Sequence, residues 1–172
     1  MNQQRHYILF VMVVLALQCL LLNHLTISTL FAPMVYIAIL IMLPLDTSQL
    51  KMLVTALLLS LFIDVTMGTV GLNVLSTLPV AMLRRPILRH IANLSDYAIA
   101  NDVPTIKLIG VRRFYTYIAS MVVLHSLIFF TVEQLSFFNF WHFTLRLVIS
   151  TLSSTAFVMI LLRLFNTRFE TK

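Results

Sequence analysis

Long apolar runs, broken by short polar or basic segments, pattern this chain from end to end. Six runs meet or approach the roughly 20 helical residues that cross a hydrocarbon core about 30 Å thick. They are residues 7–25, 27–43, 50–67, 70–83, 114–135 and 142–165. Pro33 interrupts the start of the second run, and the fourth is short with Pro79 inside it, so short or kinked helices are expected there. A four-span protein results if these two do not cross. The first run follows Arg5 in the manner of a signal peptide, but it continues without an Ala-x-Ala-type cleavage site and is expected to stay as a membrane helix. No internal repeat, heptad register or low-complexity tract divides the 172 residues, so one integral membrane domain over 1–172 is expected.

Composition supports the same class. The chain is 60% hydrophobic and 10% charged, with mean hydropathy +0.97, whereas soluble domains carry about 25% charged residues. Too few polar side chains are present to cover a water-facing surface. The net charge of +6 would suggest nucleic-acid binding in a soluble protein. Here the basic residues concentrate between apolar runs, as the positive-inside rule produces, and nucleic acid is not an expected partner. The single cysteine, Cys19, lies inside an apolar run and reads as a packing residue.

Charge placement tests the six-span topology independently. With the N-terminus inside, Arg5, Lys51, Arg84, Arg85, Arg89, Lys107, Arg112, Arg113, Arg163, Arg168 and Lys172 all fall on the inner side, and only Arg146 falls toward the outside. Both termini are therefore expected in the cytoplasm. The outer loops are then very short, and the longest connection is the cytoplasmic loop 84–113. Its first half carries Ile87, Leu88, Ile91, Leu94 and Ala98 at helical spacing, opposite Arg85, Arg89, Asn93 and Asp96. This pattern predicts an amphipathic helix at the headgroup level, with a basic face of Arg84, Arg85 and Arg89 toward anionic lipid or a cytoplasmic partner.

The most informative stretch runs from Ser60 to Asn73. Asp64 is a carboxylate near the end of an apolar helix, where charge is costly and normally has a partner. Gly68 and Gly71, two of the three glycines, follow it and predict a tight turn with positive φ and close helix approach. Asp64 and Asn73 can tie two helices together across that turn. By depth, Asp64 is expected to pair with Arg146 or to hydrogen-bond Asn23 or His24; the alternative is a hydrated carboxylate at the interface. His6, His24, His90, His125 and His142 lack ligand spacing, so no metal or cofactor is expected, and His125, mid-span, reads as a helix-to-helix hydrogen-bonding residue. Tyr115, Tyr117 and Trp141 at span ends fit an aromatic belt. Ser150, Thr151, Ser153, Ser154, Thr155 and Ala156 form a small polar patch suited to close packing against another helix. No nucleophile, metal set or second carboxylate recurs near Asp64, which argues against an enzyme.

In order, size and motif the chain resembles the rod shape-determining protein MreD family of small bacterial inner-membrane proteins. The resemblance rests on the apolar helix ending in Asp64, then Gly68, Gly71 and Asn73, with Pro44 upstream at the end of the second run. Ser60 and Val74 stand where the family often has Gly and Ala. The resemblance implies a six-transmembrane-helix bundle similar to the S-component fold of energy-coupling-factor transporters. It also implies a non-enzymatic, cofactor-free scaffold of the cell-elongation machinery, located in the inner membrane. That scaffold would bind the single-span protein MreC and, indirectly, MreB and the peptidoglycan synthases, supporting rod shape and lateral wall synthesis. The S-component likeness supplies the alternative function, a substrate-binding membrane component of a vitamin or solute uptake transporter.

Overall fold

The computed structural model of the chain describes residues 2–24, 30–69, 71–92, 103–134 and 140–170. Most of these residues are helical, with no strand among them. Helix α1 (Asn2–Ala16) continues through a π turn (Leu17–Leu21) and a 3-10 turn (Leu22–His24); then come α2 (Ile37–Ile41), α3 (Gln49–Met67), α4 (Leu72–Ala92), α5 (Ile106–Ile109), α6 (Val111–Glu133) and α7 (Phe140–Glu170). Among the described residues three helices are long and apolar enough to cross a membrane: Gln49–Met67, Val111–Glu133 and Phe140–Asn166, with Arg5–Leu21 a shorter apolar helix. The architecture is that of an all-α membrane protein.

Helix α4 lies at the centre, packed against α3 on one side and α6 on the other; α6 in turn packs on α7, and α1 contacts α2 and α7. The outward faces are apolar, with Leu58, Leu61 and Val65 of α3 and Leu152, Ile160 and Leu164 of α7 exposed, as a lipid solvent permits. Ser48 caps α3 by accepting from the Lys51 N–H, and Gly68 ends it in the left-handed region at φ 66°.

The second run is interrupted at Pro33 and its helix is short, as expected, though the break is more than a kink; the fourth run differs from its expectation. The second run is not one helix. Residues 31–35 are non-helical around Pro33, α2 spans only five residues, and 25–29 lie outside the described residues. A non-helical backbone is tolerated in a lipid-embedded bundle only where protein surrounds it, and residues 34–43 are all buried. Its polar groups are met by side chains. The amide of Gln18, buried in the π turn of α1, accepts from Val35 N–H (2.7 Å) and donates to Pro33 O (3.3 Å). From the other side Ser154 Oγ accepts from Met34 N–H (2.8 Å), while Ser150 Oγ accepts from Ala32 N–H (3.1 Å) and donates to Leu30 O (2.9 Å). The small polar patch of α7 thus serves an unwound backbone rather than a neighbouring helix alone.

The fourth run also extends further than its apolar stretch. α4 continues past Leu83 to Ala92 through Pro79 and Pro86, so residues 84–92 belong to the central helix and form no separate amphipathic helix. The apolar face there, with Leu88 buried and Ile87 and Ile91 half-buried, turns into the bundle core. Arg84 is fully buried and does not belong to a basic surface; Arg85 is half-buried and Arg89 exposed. Residues 93–102 of the expected cytoplasmic loop, including Asn93, Leu94, Asp96 and Ala98, lie outside the described residues.

Replacing Gln18 by Leu strands the Val35 N–H without a partner inside the bundle. We expect a loss of about 1–3 kcal/mol, read as lowered thermal stability in detergent with faster amide exchange at Val35. Unchanged stability and exchange would show that the unwound segment does not depend on Gln18.

Candidate functional site

The turn between α3 and α4 is built around one carboxylate. Gly71 precedes the first residue of α4 and has no side chain with which to cap it, although its carbonyl accepts the first helical bond, from Leu75 N–H at 2.9 Å. Asp64, on the last turn of the preceding helix, supplies the missing cap. Its Oδ1 accepts from the Asn73 N–H (3.0 Å), the Asn73 side-chain amide (3.0 Å) and the Thr69 hydroxyl (2.6 Å), and its Oδ2 accepts from the Val74 N–H (3.1 Å). A buried carboxylate with four donors at a helix N-terminus is compensated by hydrogen bonds and by the helix dipole, and Asp64 is 3% exposed. The Asp64 carbonyl also accepts from Gly68 and Thr69 N–H, closing the end of α3.

Gly68 and Gly71 hold positive φ, 66° and 77°, which side chains rarely adopt. The expected close approach is absent, since a Cβ built at either position meets nothing within 4 Å. These glycines answer a conformational demand rather than a steric one.

The expected partners of Asp64 are engaged elsewhere. Arg146 pairs with Glu133 at 3.1 Å and lies over the Phe130 ring at 5.5 Å. Asn23 accepts from Gln18 Nε2 at 2.9 Å. The side chain of His24 lies outside the described residues. Nor is Asp64 hydrated at an interface. Pro44 sits in the α2–α3 turn, where its carbonyl accepts from the N–H (3.2 Å) and hydroxyl (2.7 Å) of Thr47, away from the Asp64 cluster.

From Asn73 the polar contacts run on into the bundle. Because the Asn73 amide nitrogen donates to Asp64 and to Thr69 (3.0 Å), its oxygen faces the other way, and Tyr36 Oη donates to it at 3.0 Å. With its one proton so used, Tyr36 Oη can only accept from its other neighbours, Thr77 Oγ1 (2.9 Å) and His125 Nε2 (2.7 Å). His125 Nε2 therefore carries a proton, which Ser76 Oγ also approaches at 3.2 Å, while the Ser76 hydroxyl donates back to Leu72 and Asn73 carbonyls. Tyr36, Asn73, Ser76, Thr77 and His125 are all buried. One chain of hydrogen bonds, His125 to Tyr36 to Asn73 to Asp64, crosses from α6 through the segment before α2 to α4 and α3.

A second buried cluster lies farther along α4. Arg84 donates from Nε to Tyr117 Oη (3.0 Å) and from Nη2 to the carbonyls of Ile41 (3.3 Å) and Leu43. Tyr117 donates to the same Ile41 carbonyl at 3.3 Å. The guanidinium thus meets orphan carbonyls at the end of α2, leaving Nη1 without a partner among the described residues. Tyr117 is fully buried here and takes no part in an aromatic belt, whereas Trp141 is exposed. Arg85 Nη2 donates to Thr47 O (2.7 Å), so adjacent arginines hold both ends of the α2–α3 turn.

Asp64, Gly68, Gly71 and Asn73 therefore meet in one junction, while Pro44, Arg146, Asn23 and the Arg84–Arg89 group stand apart from it. Tyr36, Thr69, Thr77 and Gln18 were not singled out from the sequence; Gln18 alone left a signal there, as an amide in the middle of an apolar run. Among the described residues no group of three His, Cys, Asp or Glu side chains is placed to hold a metal ion. No protein-family model, curated protein or solved structure matches the chain.

Tyr36→Phe removes the hydroxyl that joins Asn73 to His125 and leaves both without their shared partner. A loss of about 1–3 kcal/mol is expected, and in a double-mutant cycle with His125→Phe the two losses should fail to add by about 0.5 kcal/mol or more. Additive losses would mean that Tyr36 and His125 act separately.

Proposed function

We propose that the chain is a non-enzymatic membrane scaffold of the MreD type, acting in the bacterial inner membrane by holding a single-span partner of the MreC kind. Through that partner it supports MreB, the peptidoglycan synthases and rod shape. The observation that carries this reading is the convergence of Asp64, Gly68, Gly71 and Asn73, the residues on which the resemblance rests, in a single helix-capping junction. There they act on shape: Asp64 fixes the start of α4, and the hydrogen-bond chain from Asn73 sets α4 against α6.

Six crossings with both termini in the cytoplasm remain the topology we favour. At about 3.3 Å per extended residue and 1.5 Å per helical residue, the five unwound residues 31–35 and the five of α2 together reach at most about 24 Å, less than a hydrocarbon core of about 30 Å. The 21 residues of α4 reach about 31 Å, the full thickness of that core.

A second reading has its own support. Unwound segments inside membrane bundles commonly form solute sites, and residues 31–35 are such a segment, lying beside Gln18, Ser150 and Ser154. On this reading the chain is the solute-capturing component of an uptake transporter with the S-component fold.

Affinity purification of the tagged protein in mild detergent, with mass spectrometry of co-purifying proteins and small molecules, separates the two. The scaffold reading expects a single-span coiled-coil partner and no stoichiometric solute. Recovery of an ATPase module or a tightly held vitamin would overturn it.

A further inference from the structure

At the end of the bundle away from Arg84, α6 and α7 meet in a polar corner that the Asp64 chain does not use. Arg146 leans toward the N-terminus of α7, as helical side chains do, and its Nη2 reaches Glu133 Oε1, 3.1 Å away on the last residue of α6. The pair is incompletely satisfied. Glu133 Oε2, the neighbouring Gln134 Oε1 and Arg146 Nε have no hydrogen-bond partner among the described residues. Unmet polar atoms are costly beside apolar surface, and this corner lies next to exposed Phe140 and Trp141, with Leu127, Val148 and Leu152 exposed along the same two helices. The three unmet atoms are covered by protein, while the side chains that carry two of them, Arg146 and Glu133, are 23% and 26% accessible, so a ligand meets these atoms as the side chains turn outward.

We infer that this corner binds the headgroup of a zwitterionic aminophospholipid of the ethanolamine type. Two unmet acceptors, one of them on a carboxylate, call for a cationic donor with several N–H bonds, and one unmet guanidinium N–H calls for an anionic acceptor. An ammonium joined through two carbons to a phosphate offers both. The ammonium donates to Glu133 Oε2 and Gln134 Oε1, the phosphate accepts from Arg146 Nε, and the acyl chains lie on the apolar faces of α6 and α7. A choline headgroup has no N–H to donate. A glycerol headgroup brings no cation to Glu133.

The test titrates the full-length protein in mild detergent with phosphatidylethanolamine, its mono- and dimethyl derivatives and phosphatidylcholine of identical acyl chains, with bound lipid counted by native mass spectrometry. Retention should fall as methyl groups replace N–H bonds, by about tenfold between the ends of the series. Glu133→Gln and Gln134→Leu should each reduce that preference. Equal retention across the series, a preference for phosphatidylglycerol, or a preference that both substitutions leave intact would overturn the proposal. The methylation series uses the wild-type chain and decides the matter even if the variants do not fold.

Discussion

A buried helix start cannot leave its first N–H groups to water, and Gly71, the residue before α4, has no side chain to cap them. Asp64 meets that need from the neighbouring helix. Because an ionised carboxylate only accepts, its four donors fix the orientation of Asn73, and Asn73 fixes that of Tyr36. The direction of every later hydrogen bond follows, out to His125 on α6. The placement of α3, α4 and α6 thus depends on one charge whose position is set by two turn glycines, Gly68 and Gly71.

The same constraint explains the irregular parts of the bundle. Pro33 denies residues 31–35 a regular helix, so their backbone must find partners in side chains, and the π turn of α1 brings Gln18 to bear on one side while Ser150 and Ser154 serve the other. Where α2 ends, Arg84 and Tyr117 take up its last carbonyls. Residues that look like a basic surface or an aromatic belt in the sequence are thereby drawn into the interior. A buried cation held by carbonyl dipoles satisfies backbone acceptors that a helix of only five residues cannot satisfy itself.

The class of the protein and most of its long helices were legible in the sequence, because apolar runs of 18 or more residues leave few alternatives in an all-helical chain. α3, α6 and α7 lie within a few residues of their expected places. The turn at Gly68 and Gly71 was legible too, since few residues other than glycine adopt its backbone. The pairing of Asp64 was not. Arg146 lies at a plausible depth, but depth says nothing about which way around the bundle a side chain points, and Glu133 is nearer. The extent of the unwinding was hidden for a different reason: Pro33 marks an interruption, but Phe31, Ala32, Met34 and Val35 are as apolar as a helix would be, and the hydrogen bonds that stabilise another backbone come from Gln18 and Ser154, far away in sequence. Arg84 misled by its type, since its counter-groups are main-chain carbonyls that no composition reveals.

A shape set by a directed chain of hydrogen bonds would serve the scaffold role proposed above, by keeping the helix faces in one arrangement. The most direct test of that chain is the protonation site of His125, observed through the two ring-nitrogen resonances of the 15N-labelled protein in lipid. Proton donation toward Tyr36, imposed from Asp64, requires the hydrogen on Nε2. A His125 with its hydrogen on Nδ1 and a bare Nε2 would contradict the direction assigned to the chain, and with it the organising role of Asp64.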